Sequence, residues 1–262
     1  MGLSRLKNLF ANKSQEILNV YFTAGFPHLT STAEIIEALS SNGADIIELG
    51  MPYSDPLADG LTIQQSSDRA LKNGMNLKLL FDQIEEARTK SNIPIILMGY
   101  FNQILQFGVE EFLKLASNSG VDGLIVPDLP MNVYETEYRD LFDKYDLGMS
   151  FLIGPMTTAD RIKKADRLSS GFIYMISQSS ITGKQGTISP DQKAYFEKIS
   201  SMNLNNPRLI GFGIHDQQTF QTACKYANGA IIGSAYIRLL ANSENITKDT
   251  KEFIDKIRGN DH

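Results

Sequence analysis

Two carboxylates in the first quarter of the chain have a setting that suits acid–base chemistry. Glu48 lies inside the apolar run IIELG, and a carboxylate in a buried strand is unfavourable unless it is paired or has a task. Asp59 stands near the end of the next segment, GMPYSDPLADG (Gly50–Gly60), which has no helical periodicity. A loop of this kind can double back over the strand end, so that two carboxylates in different environments divide acid and base roles.

Each carboxylate also has a purely structural interpretation. Glu48 could be paired with a lysine or hydrogen-bonded near the end of its strand. Asp55 precedes Pro56 and Asp59 precedes Gly60, and both dipeptides are common in turns.

Glycine-rich segments follow three apolar runs in the second half of the chain. They are ITGKQG (Ile181–Gly186), GFGI (Gly211–Ile214) and GSA (Gly233–Ala235), the last of which opens a helical stretch. Bare backbone N–H groups and the positive end of a helix dipole can hold an anion without basic side chains. Although glycines also cap helices and form turns, three such clusters at successive strand ends predict a site for a small phosphate ester.

Aromatic residues lie at the ends of several apolar runs: Tyr21, Tyr100, Tyr174 and Phe212. Each one alone is most simply explained by core packing. Beside a carboxylate and a phosphate site, the set predicts a flat apolar pocket for the rest of the ligand.

The elements that must position these residues are short β-branched runs, which alternate with amphipathic stretches along the whole chain. This alternation indicates an α/β fold with strands buried on both faces. The predicted strands are Ile17–Thr23, Asp45–Leu49, Ile93–Tyr100, Gly123–Val126, Met149–Ile153, Phe172–Ile176, Arg208–Gly211 and Ala230–Ile232. The clearest helical stretches are Thr32–Leu39, Leu79–Arg88, Glu110–Ala116, Tyr134–Tyr145, Asp191–Ser201 and Gln217–Tyr226.

Eight strand–helix units in 262 residues favour a single (β/α)8 TIM barrel that occupies residues 1–262, with an open doubly wound sheet as the alternative. Several strands are entered through a glycine that is expected just past a helix end, namely Gly43, Gly120, Gly171 and Gly229. In such a barrel the chemistry lies at the carboxyl ends of the strands.

Composition excludes several classes of function. A net charge of −5 without a basic stripe argues against nucleic acid. The single cysteine, Cys224, cannot form an internal disulfide, and we interpret it as a packing residue on a helix face. With only three scattered histidines (His28, His215 and His262), we expect no metal site. No apolar segment is long enough to cross a bilayer, so we expect a soluble, cytoplasmic protein.

Several longer motifs, in this order, make the chain similar to the tryptophan synthase alpha chain family. They are YFTAGFP (Tyr21–Pro27), IIELGMPYSDPLADG (Ile46–Gly60), MGYFNQI (Met98–Ile104), GVDGLIVPDLP (Gly120–Pro130), ITG (Ile181–Gly183), GFGI and IIGSA (Ile231–Ala235). The similarity runs from about Tyr21 to Ala235, and RLKNLF near the start resembles the extra N-terminal helix of that family.

The resemblance implies a lyase that cleaves indole-3-glycerol phosphate into indole and glyceraldehyde 3-phosphate by a retro-aldol reaction. Glu48 then matches the catalytic proton shuttle, and Asp59 matches the aspartate that holds the indole N–H. Tyr174 matches a tyrosine near the glycerol part, while Tyr100 and Phe212 match residues that flank the indole.

The remaining matches concern the phosphate and a mobile loop of the family. Gly183, Gly213, Gly233 and Ser234 match the phosphate site. Thr182 matches a threonine that closes against the loop after the second strand and excludes water.

The resemblance also implies a partner, a beta subunit that carries pyridoxal phosphate and receives indole directly, in an alpha2beta2 tetramer. Asp55, Pro56 and the segment MGYFN fall where the family makes this contact. The alpha chain itself is expected to need no cofactor.

The chain departs from the usual family sequence at a few positions, none of which is Glu48 or Asp59. These are Tyr53 and Leu61 around the second-strand loop, Gln178 and Ser180 in the closing loop, and Met131 and Asn132 after PDLP. They bear on loop closure and on coupling to the partner.

Three other functions remain open at this point. A sugar-phosphate isomerase or cyclase on the same scaffold would typically use paired strand-end residues, which strands 1 and 5 lack. A non-catalytic activator of a beta chain would not need Glu48 and Asp59. A free-standing lyase that releases indole would use the same site.

Overall fold

Strands and helices alternate from one end of the chain to the other. The structure is a computed structural model that describes residues 2–56, 59–176, 189–211 and 213–260. Within these ranges there are eight strands, one of them in two pieces. They are β1 (Ile17–Thr23), β2 (Ile46–Gly50), β3 (Ile95–Met98), β4 (Gly123–Ile125), β5 (Gly148–Met149 and Leu152–Ile153), β6 (Ile173–Ile176), β7 (Arg208–Gly211) and β8 (Gly229–Ile232).

The strands form a closed parallel barrel. Each pairs in parallel with its neighbours in the chain, and β1 pairs with both β2 and β8. The first piece of β5 pairs with β4 and the second piece pairs with β6. Between the two pieces, the Ser150 N–H donates to the Leu124 carbonyl and the Tyr174 N–H donates to the Phe151 carbonyl, both at 3.0 Å. One chain segment thus joins both edges of the sheet, which confirms the (β/α)8 TIM barrel and excludes the open sheet.

Helices surround the barrel and occupy most of the connections. They are α1 (Gly2–Asn12), α2 (Ser31–Ser41), α3 (Leu61–Lys72), α4 (Leu77–Arg88), α5 (Phe101–Phe107), α6 (Val109–Ser119), α7 (Met131–Val133), α8 (Arg139–Lys144), α9 (Ala159–Leu168), α10 (Pro190–Ser200), α11 (Gln217–Cys224), α12 (Ser234–Ala241) and α13 (Ile246–Arg258). A π-helical turn, Tyr134–Tyr138, joins α7 to α8. No helix in the described ranges is long and apolar enough to span a membrane.

The extra N-terminal helix α1 packs onto the amino end of the barrel, as the resemblance implied. Leu6 is 1 % exposed and belongs to the apolar cluster inside the barrel, with Ile17 and Phe172 among its members. A second, larger cluster fills the space between the strands and the outer helices. Because side chains alternate along a strand, Ile46 points into the barrel while Ile47 packs in the outer cluster. The same alternation turns Glu48 inward.

The glycine pattern at the helix ends is confirmed at two positions and wrong at two. Gly43 and Gly120 have φ of +98° and +95°, the left-handed conformation that ends a helix. Gly171 and Gly229 do not have positive φ. Glycine is needed at these two positions for lack of space, because a Cβ would collide with Leu6 at Gly171 and with the Ile17 backbone at Gly229.

Predicted strand ends differ from the structure mainly next to helices. The run Ile93–Tyr100 contains only the strand Ile95–Met98, because Tyr100 already caps α5. The run Met149–Ile153 is interrupted at Ser150 and Phe151, which bridge the two sides of the barrel seam. The predicted helix Tyr134–Tyr145 begins earlier, at Met131, and includes the π-helical turn.

Candidate active site

A cavity of about 460 Å³ lies at the carboxyl ends of the strands and contains both candidate carboxylates. Its walls come from β1, β2, β3, β6, β8 and the loops that follow them. The lining residues are Tyr21, Glu48, Asp59, Gly60, Ile63, Met98, Tyr174, Gly213, Ile214, His215, Ile231, Gly233, Ser234, Ala235 and Arg238. A larger surface groove, about 920 Å³, lies between the starts of α2 and α13 and is lined by neither Glu48 nor Asp59. The two carboxylates in its lining, and not its volume, therefore identify the first cavity as the candidate site.

Glu48 is an almost fully buried carboxyl group on β2, with 1 % of its surface exposed. Its register neighbours are Tyr21 on β1 and Ile96 on β3. Burial raises its pKa to about 8, and the nearby Asp59 acts in the same direction, whereas a hydrogen bond from Asn19 opposes the shift. Glu48 therefore holds a proton near neutral pH and can both donate it and take one back.

Asp59 is brought over the barrel by the loop after β2. Its backbone N–H donates to the Pro56 carbonyl at 3.1 Å, and its own carbonyl accepts from Gln64 Nε2 of α3 at 2.8 Å. The Tyr100 hydroxyl donates to Asp59 Oδ2 at 3.2 Å. Burial raises the pKa of Asp59, and the bond from Tyr100 lowers it. The structure thus brings the two carboxylates into one cavity, in different environments.

Tyr100 lies behind Asp59 rather than on the wall of the main cavity. It lines a small adjoining recess together with Asp59, Tyr21 and Met51. Its ring stacks on Tyr53, with centroids 5.1 Å apart and an interplanar angle of 28°. These contacts hold the Tyr100 hydroxyl where it can orient the Asp59 carboxylate.

Tyr21 and Tyr174 both contribute to the wall of the cavity that contains Glu48. Both are less than a tenth exposed, and burial raises the pKa of each above its ordinary value. A Cβ at Gly50 would collide with the Tyr21 ring, and a Cβ at Gly211 would collide with the Tyr174 ring. The two glycines therefore make room for the tyrosines.

Two of the three glycine-rich segments line another side of the cavity, through Gly213 and Gly233. Gly213 has a φ of +79°, a conformation that favours glycine. Gly233 caps α12, so the free N–H groups of Ser234 and the first turn are presented at the cavity wall. This arrangement suits an anion. The predicted residues Thr182, Gly183 and Phe212 lie outside the described residues.

Two basic side chains at this wall were not predicted as site residues. His215 follows GFGI, and its Nδ1 lies 2.8 Å from the Gly213 carbonyl. Arg238 lines the same cavity from α12, four residues after Ser234. The spacing of one helical turn could have linked Arg238 to Ser234, because such residues share a helix face.

Asn19 is the third residue that sequence reasoning missed. Its Nδ2 donates to Glu48 Oε2 at 3.0 Å, and both side chains are buried. The signal was present in the sequence, because Asn19 and Tyr21 are two residues apart in ILNVYFT and so share a face of β1.

The described residues contain no group of three or more His, Cys, Asp or Glu side chains arranged to hold a metal ion. Cys224 packs against the core from α11, and burial raises the pKa of its thiol to about 11. This is the setting of a packing residue, not of a reactive thiolate.

Comparison with known proteins assigns the chain to a family. The family model for the tryptophan synthase alpha chain matches residues 7–260. The chain belongs to the tryptophan synthase alpha chain family. It is therefore a carbon–carbon lyase that cleaves indole-3-glycerol phosphate.

Individual alpha chains are similar over nearly their whole length. The tryptophan synthase alpha chain of Flavobacterium johnsoniae is 52% identical over 254 residues, covering 96% of this chain and 100% of the relative. The alpha chain of Christiangramia forsetii is 49% identical, with 94% and 95% covered. A chain of the crystallised tryptophan synthase complex from Pyrococcus furiosus has a TM-score of 0.85 at 34% identity, with 94% and 99% covered.

The structure accommodates three of the departures from the usual alpha chain sequence. Leu61, where proline is usual, begins α3 and is 69 % exposed, so its side chain needs no room in the core. The Tyr53 hydroxyl accepts a hydrogen bond from Asn102 Nδ2 at 3.0 Å. Met131 begins α7 directly after Pro130 and packs against the core. Gln178 and Ser180 lie outside the described residues.

Proposed function

We propose that Glu48 and Asp59 carry out the lyase chemistry of this chain, with Glu48 as the proton shuttle. The observation that supports this most directly is their place in one cavity, with Glu48 buried and Asp59 partly exposed. Two carboxyl groups with different environments can hold different protonation states at one pH.

In the proposed reaction Glu48 first donates and then accepts a proton, while Asp59 stabilises charge. The protonated Glu48 gives its proton to C3 of the indole ring, while Asp59 stabilises the positive charge that develops at the ring N–H. The bond between C3 and the glycerol chain then breaks, and its electrons return to the ring. The hydroxyl on the first glycerol carbon loses its proton to the Glu48 carboxylate and becomes the aldehyde. Glu48 is thereby returned to its initial state.

The phosphate end of the substrate is assigned to the wall made by Gly213, Gly233 and Ser234. Backbone N–H groups at the start of α12 can hold it, and His215 and Arg238 lie at the same wall. Tyr21 and Tyr174 would flank the remainder of the substrate. From the family resemblance, Gly183 also contributes to the phosphate site, Thr182 to loop closure and Phe212 to the indole pocket.

We further propose that residues 1–262 form one catalytic domain that works with a beta subunit in an alpha2beta2 tetramer in the cytoplasm. The Pyrococcus furiosus chain of similar fold was crystallised in a tryptophan synthase complex, which supports the partnership. Pyridoxal phosphate would belong to the beta subunit, and the alpha chain would work without a cofactor.

Replacing Glu48 by glutamine tests the proposal. Glutamine keeps the shape of the side chain but cannot exchange a proton, so we expect Glu48→Gln to slow indole formation by at least about 100-fold. Binding of glycerol 3-phosphate, measured by calorimetry, should persist because the phosphate wall is untouched. Glu86→Gln, on the exposed surface of α4, is the matched control and should keep full activity. Near-normal turnover by Glu48→Gln would refute the role of Glu48.

A further inference from the structure

Asn19 is a fully buried polar residue in the interior of the barrel, where its register partners are apolar. Its register partners, Ile46 on β2 and Ile231 on β8, both belong to the interior apolar cluster. Its Nδ2 donates to Glu48 Oε2 at 3.0 Å. Its Oδ1 is buried and has no hydrogen-bond partner among the described residues.

An unsatisfied amide oxygen in an apolar interior destabilises a fold, so packing does not explain this residue. The position of Asn19 beside Glu48 does explain it. A carboxamide has a donor end and an acceptor end of nearly the same shape, and rotation about χ2 exchanges them. The N–H end suits a Glu48 carboxylate, and the free oxygen end suits the O–H of a protonated Glu48.

We propose that Asn19 is a positioning residue for Glu48. The Asn19 carboxamide rotates about χ2, so that it hydrogen-bonds the acid form and the carboxylate form of Glu48 in succession. This inference rests on the proposed function, in which Glu48 loses and regains a proton during each turnover. Without such a partner, one of the two protonation states of a buried carboxyl group would lack a hydrogen bond. Asn19 would thus keep the Glu48 side chain in one orientation while its proton is transferred.

Other titratable groups also face Glu48, and all of them remain in the proposed variants. Tyr21 stands beside it on β1, Tyr174 faces it from β6, and Asp59 faces it from the loop after β2. Two further groups, His215 and Arg238, line the same cavity from beyond β7 and from α12. A change in pH dependence between Asn19 variants therefore reports the loss of the Asn19 contact.

The test is Asn19→Leu, which keeps a similar volume and removes both hydrogen-bonding ends. A hydrogen bond to a carboxylate is stronger than one to a neutral acid, so Asn19 stabilises the charged form of Glu48 more and lowers its pKa. Loss of Asn19 should therefore move the alkaline limb of the kcat/KM profile to higher pH. We expect kcat to fall by between about ten- and a hundredfold through lost orientation, with little change in KM. The melting temperature should stay the same or rise, because leucine suits the apolar surroundings.

Thr250→Val is the matched control. Thr250 is also fully buried and hydrogen-bonds the Tyr236 hydroxyl at 2.7 Å, but it does not line the cavity. This control should lower the melting temperature and leave the pH profile unchanged. Asn19→Asp provides a second variant of the same shape, in which a like charge should again move the alkaline limb to higher pH.

An independent readout is the infrared band of the protonated Glu48 carboxyl group, identified by its absence in Glu48→Gln. Its titration should move to higher pH in Asn19→Leu. If Glu48→Gln is inactive but both Asn19 variants keep the wild-type pH profile and kcat, the inference about Asn19 is wrong and the proposed function stands. If Glu48→Gln is active, the proposed function itself fails.

Discussion

At the scale of single residues, the burial that prepares Glu48 for proton transfer also opposes folding. Water stabilises a carboxylate, and Glu48 on β2 has only 1 % of its surface exposed, so its charged form is disfavoured in the folded state. Asp59 keeps part of its surface exposed and accepts a hydrogen bond from Tyr100. The two carboxyl groups thus differ because of where the backbone places them, not because of their side-chain types.

This burial predicts that the stability of the protein depends on pH through Glu48. The folded-state pKa, about 8, is above the unfolded value of about 4.3. The contribution of Glu48 to stability is therefore fully present below the unfolded pKa and is lost as pH rises through the folded pKa. We expect Glu48→Gln to gain stability relative to the wild type as pH increases from about 5 to about 9, measured by urea unfolding at each pH.

The exposed Glu86→Gln is again the control and should show no such trend. A constant difference in unfolding free energy between wild type and Glu48→Gln across that range would contradict the raised pKa.

At the scale of elements, a buried ionic cluster ties α1 and α4 to the amino end of the barrel. Asp122, fully buried just before β4, accepts from Arg5 Nε and from Arg88 Nη2, each at 2.8 Å. It also accepts from the Ile95 N–H at the start of β3, at 2.8 Å. Both arginines donate to the Gly120 carbonyl as well. The extra helix α1 is therefore held by a specific charge contact as well as by Leu6.

We expect Asp122→Ala to destabilise the fold by about 3–5 kcal/mol, because it leaves two poorly solvated guanidinium groups without their carboxylate. The matched control is Asp68→Ala, which removes the carboxylate of an exposed pair with Lys72 at 2.6 Å and should cost about 0–1 kcal/mol. Urea unfolding measures both. Equal losses in the two variants would show that burial of the Asp122 cluster has no particular importance.

At the scale of the whole molecule, the site is assembled from distant parts of the chain on one end of the barrel. Glu48 comes from β2, Tyr174 from β6 and Ser234 from the start of α12. Large exposed apolar side chains occur in the connections that leave the same end, with Leu61 69 % exposed and Leu105 52 % exposed. Their position makes them candidates for contact with the proposed beta subunit.

We predict that a beta chain copurifies with this chain and raises its rate of indole formation. Leu105→Glu, on α5, should weaken the complex by about tenfold or more and leave the rate of the isolated chain unchanged. Lys7→Glu, exposed on α1 at the opposite end, should affect neither. Size-exclusion chromatography and a lyase assay with added beta chain measure both effects. An unchanged rate without complex formation would favour a free-standing lyase.

The order of the elements and the identity of the two principal carboxylates could be predicted from the sequence, because both depend on residues that are close together in the chain. Continuous β-branched runs predict buried parallel strands, and IIELG places Glu48 in one of them. The long loop without periodicity allowed Asp59 to return over the strand end, and the family resemblance favoured this over a simple turn. Boundaries such as Tyr100 were harder to place, because a strand residue and a helix cap differ only in the path that the next residues take in space.

The tertiary structure alone decided which side chains meet. The contact between Asn19 and Glu48, the approach of Tyr100 to Asp59 and the position of Arg238 on the cavity wall all join residues from different elements. Sequence periodicity indicates which face a side chain occupies, but the register and the closure of the barrel determine its neighbours. The physical reason is that a pKa or a hydrogen bond depends on atoms within a few ångströms, and those atoms come from segments far apart in the chain.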